Sequence, residues 1–180
     1  MKIGPDGIVA GARYVASPNC DERPRGGAVS LIVVHSISLP PGQFGGDSVE
    51  RLFTNTLEES AHPYFAELRG LRVSAHFFVR RNGELVQFVP VGCRAWHAGE
   101  SAWRGRSRCN DYSVGVELEG ADDRPFESAQ YLRLAELARL LQGALPLTDI
   151  AAHSDIAPAR KTDPGPLFDW PRCLSLLALP

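Results

Sequence analysis

Five histidines, His35, His62, His76, His97 and His153, are the side chains best able to bind a metal or carry a proton near neutral pH. A lone histidine is ordinarily a satisfied structural residue. Neither a His-Glu-x-x-His run nor paired Cys and His at zinc-finger spacing occurs, so a metal site must be assembled from distant segments. His35 and His153 stand out, because each closes an apolar, strand-like run where a loop begins. In open α/β sheets, sites form outside the carboxyl ends of strands. His76 in mid-strand and His62 before Pro63 read as structural.

The segment HSDIAPARKTDPG (153–165) adds a carboxylate and a cation. Residues two apart in an extended stretch point the same way, so Lys161 and Asp163 can face one pocket. Two imidazoles and one carboxylate form a catalytic zinc set with a fourth position open to water. Asp163 reads equally as an Asp-Pro-Gly turn former with no ligand role. Of the 19 basic residues, all but Lys2 and Lys161 are arginine. A lysine directly after Arg160 hints at a need for a compact ammonium donor, although chance accounts for it as well. Glu117 is the natural proton carrier. It shares a strand face with Gly115, whose missing side chain leaves room for a ligand, and partial burial would raise its pKa toward neutrality. The rival reading is that Glu117 and Glu119 mark the wet face of an edge strand.

These groups need elements to hold them. Val29–His35 is a near-continuous apolar run that predicts a buried central strand, followed by the loop SLPPGQFGG (38–46). Asp47 or Ser48 caps a short helix with Val49, Leu52 and Phe53 on one face. Val73–Arg80 and Glu84–Val89, joined at Asn82-Gly83, predict a β-hairpin. A loop over 95–108 carries Trp96 and Trp103. Ser113–Glu119 alternates as a strand, and Glu127–Leu141 reads as an amphipathic helix with Leu132, Ala135, Leu137, Ala138 and Leu141 on its apolar face. Asp149–His153 predicts one more short strand, and 158–171 an irregular closing segment. Strands interleaved with helices and one hairpin predict an α/β fold: a single domain, 1–180, with a mixed central β-sheet flanked by helices.

Composition is that of an ordinary soluble globular protein, with 44% hydrophobic and 22% charged residues. A net charge of −2 gives no electrostatic footprint for nucleic acid or an anionic membrane, so neither is expected as a partner. The N-terminus lacks an apolar signal-peptide core, and the longest apolar runs, Leu31–Val34 and Leu174–Leu179, fall well short of the roughly 20 residues a bilayer span needs. A cytoplasmic monomer is the expectation. Cys20, Cys93, Cys109 and Cys173 include no CxxC pair and read as reduced thiols packed as small hydrophobes.

The segments HSISLPPGQFGG (35–46), VSAHF (73–77), RAWHAG (94–99), RCNDYSVGVELEG (108–120) and HSDIAPARKTDPGP (153–166) resemble the AmpD amidases over nearly the whole chain. These are cytoplasmic bacterial N-acetylmuramyl-L-alanine amidases that act on 1,6-anhydro-muropeptides in cell-wall recycling. The resemblance implies the fold shared with phage amidase lysozymes and peptidoglycan recognition proteins. It implies Zn2+ held by His35, His153 and Asp163, with Glu117 as acid/base and Lys161 stabilising the transition state. Arg72 and Arg108 are candidates to grip the carboxylates of the stem peptide, with plain surface arginines as the alternative. Trp96 and His97 are candidates for a wall of the sugar pocket, Trp96 serving equally well as core. The family carries Asn after the first ligand, in what resembles a substrate contact, where this chain has Ser36; Ser154 stands where the family has Cys. Rival readings are a module that binds peptidoglycan without cutting it, or an exported amidase acting on polymeric wall. The complete donor set argues against the first, and the missing signal peptide against the second.

Overall fold

Continuous apolar runs fold as strands buried on both faces, and two of them lie side by side at the centre of this protein. The computed structural model describes residues 1–178; Leu179, the end of the apolar C-terminal run, lies outside the described residues. In chain order the main strands are β1 (Arg13–Tyr14), β2 (Leu31–Ile37), β3 (Phe77–Val79), β4 (Leu85–Gln87), β5 (Ser113–Glu119) and β6 (Asp149–Ala152). They form one sheet in the order β6-β2-β5-β3-β4-β1. The first four in that order are mutually parallel, β4 runs antiparallel to β3, and β1 lies parallel to β4. The expected mixed sheet is present.

Four helices accompany it: α1 (Ser48–Phe53), α2 (Ser128–Ala144), α3 (His153–Ile156) and α4 (Trp170–Leu177). Ile32, Val34, Val114, Val116 and Leu118 pack on one face of the sheet with Leu134, Leu137 and Leu141 of α2 and Cys173 of α4. On the opposite face, Leu31 and Val33 pack with Ala98, Tyr112 and Ile156, while Phe78 and Val86 pack with Leu52 and Phe53 of α1. The alternation of β5 is as expected, but all seven of its residues are buried. Paired on both edges, β5 is a central strand, so Glu117 and Glu119 do not face bulk water.

Several boundaries differ from expectation for identifiable reasons. β2 starts and ends two residues later than its apolar run, because Ser36 and Ile37 still pair with Leu118 and Glu119. The 73–80 run is a strand only over Phe77–Val79; before it, Ser74 N and His76 N donate to Trp96 O and Gly115 O. Within the tryptophan loop, Ala102–Trp103 and Arg106–Ser107 form a small hairpin, and Cys93–Ala95 pairs with Cys20–Glu22. Leu132, expected on the buried face of α2, is 57% exposed, and Tyr131 and Leu134 take that face instead. Helix α4 was hidden by Pro171, which sits in the first turn where a missing N–H costs nothing, while Asp169 Oδ1 accepts from Arg172 N. All four cysteines are free thiols; Cys109 and Cys173 are buried and Cys20 and Cys93 partly so. No helix among the described residues is long and apolar enough to cross a membrane.

The β3–β4 hairpin forms, but with a three-residue loop rather than a two-residue turn. Gly83 N donates to Arg80 O, and Arg80 N to Glu84 O. Only Gly83 takes a positive φ, +83°, and a Cβ there would lie 3.1 Å from the backbone oxygen of Ala129. Gly83→Ala should therefore destabilise the protein by about 1 kcal/mol or more, through left-handed strain added to a close contact. A lowered urea midpoint is the expected result; an unchanged midpoint would show that the loop relaxes around the methyl group.

Candidate active site

Parallel pairing assembles the site. Glu117 of β5 stands opposite His35 of β2, so both side chains leave the same face of the sheet. Ala152 of β6 pairs with Val34, and one step further along the chain His153 comes beside His35 as the first residue of α3. His35 therefore does not end its strand, as the sequence implied, but sits two residues inside it. The loop after α3 brings Asp163 against both imidazoles. His35 Nδ1 is 2.9 Å from His153 Nδ1, and Asp163 Oδ2 is 3.1 Å from the first and 3.0 Å from the second.

Burial decides the charges. His35 is fully enclosed, which pushes its pKa down to about 4, against the opposing pull of Asp163. Its imidazole is neutral near pH 7, so its contact with Asp163 is not an ion pair. Burial also opposes ionisation of Asp163, but when no cation is present and an Nδ1 proton of His153 or His35 faces it, the hydrogen bond outweighs burial and holds the carboxyl well below its usual range. Glu117 is the opposite case: burial and then the charge of Asp163 raise its pKa well above that of an ordinary carboxylate, and nearby Lys161 only partly offsets them. Glu117 Oε2 has no hydrogen-bond partner among the described residues. The Lys161 ammonium likewise has no ion-pair partner among them.

The three donor atoms fit a metal. Ala98 O, which can only accept, lies 3.2 Å from His153 Nε2, so that nitrogen carries the proton and Nδ1 turns its lone pair inward. Lone pairs and a carboxylate oxygen converging at about 3 Å repel unless a cation lies among them. Ligand atoms of a tetrahedral zinc with bonds of roughly 2.1 Å are about 3.4 Å apart, so the triangle needs to open by only a few tenths of an ångström. All three offer one ligand atom within 4.8 Å of one another.

A cleft of about 930 Å3 opens over this cluster. Ser36, Arg72, Trp96, His97, Glu117 and Lys161 all line it. Arg108 does not line it: its backbone is left-handed (φ 61°), and its exposed guanidinium pairs with Asp111 at 3.2 Å. Tyr64, Asn110 and Arg160 border the cleft and were not anticipated. Asn110 Oδ1 accepts from His97 N and Ala98 N, and Arg160 donates to Ala98 O and Glu100 O. These bonds join segments far apart in sequence; only the presence of Asn110 in the quoted RCNDYS motif could have pointed to it. Gly115 leaves room for a side chain, not a ligand: a Cβ there would lie 2.4 Å from the His97 ring.

A metal-donor triad, a buried unpaired acid and a free ammonium around one cleft are the parts of a hydrolase acting on a carboxylic acid derivative. Residues 25–166 match the N-acetylmuramoyl-L-alanine amidase family (Amidase_2), and the chain belongs to that family. It is 54% identical over 175 residues to the 1,6-anhydro-N-acetylmuramyl-L-alanine amidase AmpD of Salmonella typhimurium (strain SL1344), covering 96% of this chain and 94% of that protein. Identity to AmpD of Escherichia coli (strain K12) is 54% over 168 residues, covering 92% of each. The crystal structure of a selenomethionine AmpD derivative superposes with a TM-score of 0.95 at 51% identity, over 98% of this chain and 99% of that one. The amidase AmiD of E. coli, solved with the substrate anhydro-N-acetylmuramic acid-L-Ala-D-γ-Glu-L-Lys, gives a TM-score of 0.61 at 29% identity, over 88% of this chain and 65% of AmiD.

The buried imidazoles continue behind the site. His76 accepts from Gly115 N at Nδ1 and lies 3.0 Å from Cys93 O at Nε2. Its burial, reinforced by the adjacent Arg23 guanidinium, pushes its pKa down to about 3. His62, by contrast, caps the turn that follows it, accepting from Tyr64 N. Both are structural, as expected. Because the unfolded chain takes up a proton at His76 near pH 6.5 and the folded chain does not until about pH 3, stability falls as pH drops through that window. The slope from this residue is at most about 1.4 kcal/mol per pH unit. In metal-free protein, His76→Gln should be less stable than wild type at pH 7 yet lose less on acidification from pH 6.5 to 3. Equal slopes in denaturant titrations would remove His76 as the source.

Proposed function

We propose that this amidase is zinc-dependent and hydrolyses the amide between the lactyl group of 1,6-anhydro-N-acetylmuramic acid and the L-alanine of muropeptides, as a cytoplasmic monomer in cell-wall recycling. The observation that carries the reading is the convergence of the His35–His153–Asp163 triad with Glu117 and Lys161 in one cleft. The AmpD relatives are named for the anhydro-muramyl bond, and AmiD was solved with an anhydro-muramyl peptide. Both support that substrate class.

His35 Nδ1, His153 Nδ1 and Asp163 Oδ2 would hold the ion. Zinc bound there supplies the Lewis acidity that makes water a nucleophile at neutral pH. Glu117 Oε2 takes the proton of the attacking water and passes it to the departing alanine nitrogen. Its raised pKa makes it a stronger base than an ordinary carboxylate, as taking the proton of water requires. The Lys161 ammonium, which forms no ion pair among the described residues, stabilises negative charge as it grows on the lactyl oxygen. Arg72, exposed where it lines the cleft, meets the stem-peptide carboxylates, and Trp96 offers an apolar wall to the sugar. Ser36 lines the cleft next to His35 and bears on how tightly the substrate is held. Arg108 reaches the peptide only if the substrate extends beyond the cleft.

Mass spectrometry of a purified anhydro-muropeptide incubated with zinc-loaded and chelated protein tests the reading. Release of intact peptide and anhydro-sugar by the zinc-loaded protein alone is expected; no cleavage with zinc bound would overturn it. Lys161→Ala should hold zinc but lose about 10²–10³ in kcat, corresponding to roughly 3–4 kcal/mol of transition-state stabilisation. Normal turnover in that variant would remove the assigned role. Glu117→Gln should bind zinc and be nearly inactive, whereas retained activity would place the base elsewhere.

A further inference from the structure

His97 is buried at 9% exposure, and both of its ring nitrogens have protein partners. Nδ1 lies 2.9 Å from His35 Nε2, and Nε2 lies 3.1 Å from Ser113 Oγ. Ser113 Oγ in turn donates to Cys109 O at 2.6 Å. Imidazole can place its proton on either nitrogen, but a backbone carbonyl can only accept. With the Ser113 proton committed to Cys109 O, the hydroxyl receives its bond from His97 Nε2–H. His97 Nδ1 is then an acceptor, so His35 must donate to it from Nε2. The lone pair of His35 is left on Nδ1, the atom that faces His153 and Asp163.

We propose that His97 is a positioning residue for the metal site, locking His35 in the tautomer and ring orientation that offer Nδ1 to the ion. The inference rests on the reading of His35, His153 and Asp163 as zinc ligands. Because the chain of bonds ends on a carbonyl, it has no outlet for a proton, which makes it an orienting device and not a relay. The two ligand imidazoles are thus set alike: His153 bonds directly to Ala98 O, and His35 reaches a carbonyl through His97 and Ser113. The packing agrees. The His35 and His97 rings meet edge to face at 5.0 Å, and Gly115 is the gap in β5 that lets His97 lie flat against the strand. His97 N is held separately by Asn110 Oδ1, so the ring is fixed from its backbone as well.

The test is the zinc dissociation constant, measured by competition with a chromophoric chelator, together with the absorption spectrum of the cobalt-substituted protein. His97→Phe keeps a ring but removes the acceptor, and it should weaken zinc binding about 10–100-fold and alter the cobalt spectrum. His97→Asn places Oδ1 where Nδ1 stood and should recover most of that loss. Ser113→Ala frees the tautomer without touching either imidazole and should weaken binding by a smaller factor. Wild-type affinity in His97→Phe or Ser113→Ala, or equal weakening by Phe and Asn at position 97, would overturn the proposal. Unfolding of each metal-free variant separates lost folding from lost positioning. If His97→Phe does not fold, the contrast between His97→Asn and Ser113→Ala decides. Failure of the wild type to bind zinc at all would instead remove the metal reading itself, and this inference with it.

Discussion

Seven consecutive rungs of parallel pairing, Ser113 with Leu31 through Glu119 with Ile37, hold β5 against β2, and the chemistry of the site depends on that ladder. Side chains alternate along a strand, so a slip of one residue would carry Glu117 to the opposite face and away from His35. The register is specified from that opposite face. Val114, Val116 and Leu118 must meet α2, whose Leu134, Leu137 and Leu141 are fully buried. Burial of apolar residues on the helix side thus fixes where a carboxylate stands on the cleft side. The buried Gln130 of α2 ties the two together by donating to Val79 O and Glu119 O, at the ends of β3 and β5.

What the strands do not supply comes from loops held at several points. Thr162, between Lys161 and Asp163, also borders the cleft and donates to Asp122 at 2.6 Å. Ser154 N donates to Asp163 O, and Lys161 N to Ala157 O, so the backbone on both sides of the lysine is fixed. Glu119 does the same for the far wall, accepting from Gly45 N at 2.5 Å and Arg81 N at 3.0 Å and joining the glycine-rich loop to the hairpin. A loop-borne group can then be almost as well placed as one on a strand, which electrostatic stabilisation of a developing charge requires.

Legibility from sequence followed the range of the interactions. β5 was read to the residue because its alternation is local, and α1 was located because its Val49–Leu52–Phe53 face is local too, although Asp47 makes no side-chain cap bond. The candidate metal donors were readable as residue types, the two histidines at the ends of apolar runs and Asp163 beside Lys161, although 118 positions separate His35 from His153 and 128 separate it from Asp163. Helix α4 was missed because Pro171 is a breaker everywhere except in a first turn. Arg23 was invisible: its guanidinium donates to Ser113 O, 90 residues away, and to Val91 O, 68 residues away. Backbone acceptors leave no mark on the residue type, so nothing at position 23 or 113 announces the bond. His97 was noticed for its motif, but its role turns on a hydroxyl and a carbonyl that no local pattern reveals.

The distribution of strain argues in the same direction. A glycine within a strand costs about 0.5–1 kcal/mol relative to alanine, and an unpaired buried carboxylate costs more. Gly115 and Glu117 bring both of these into β5, two residues apart on one face. The strand can carry both because β5 is paired along both edges and its outer face lies under α2. On an edge strand the same carboxylate would draw in water and its pKa would fall back toward the ordinary value, losing the raised basicity that the proposed proton transfer uses. The central position of the strand is therefore a chemical requirement of the site as much as a consequence of its apolar residues.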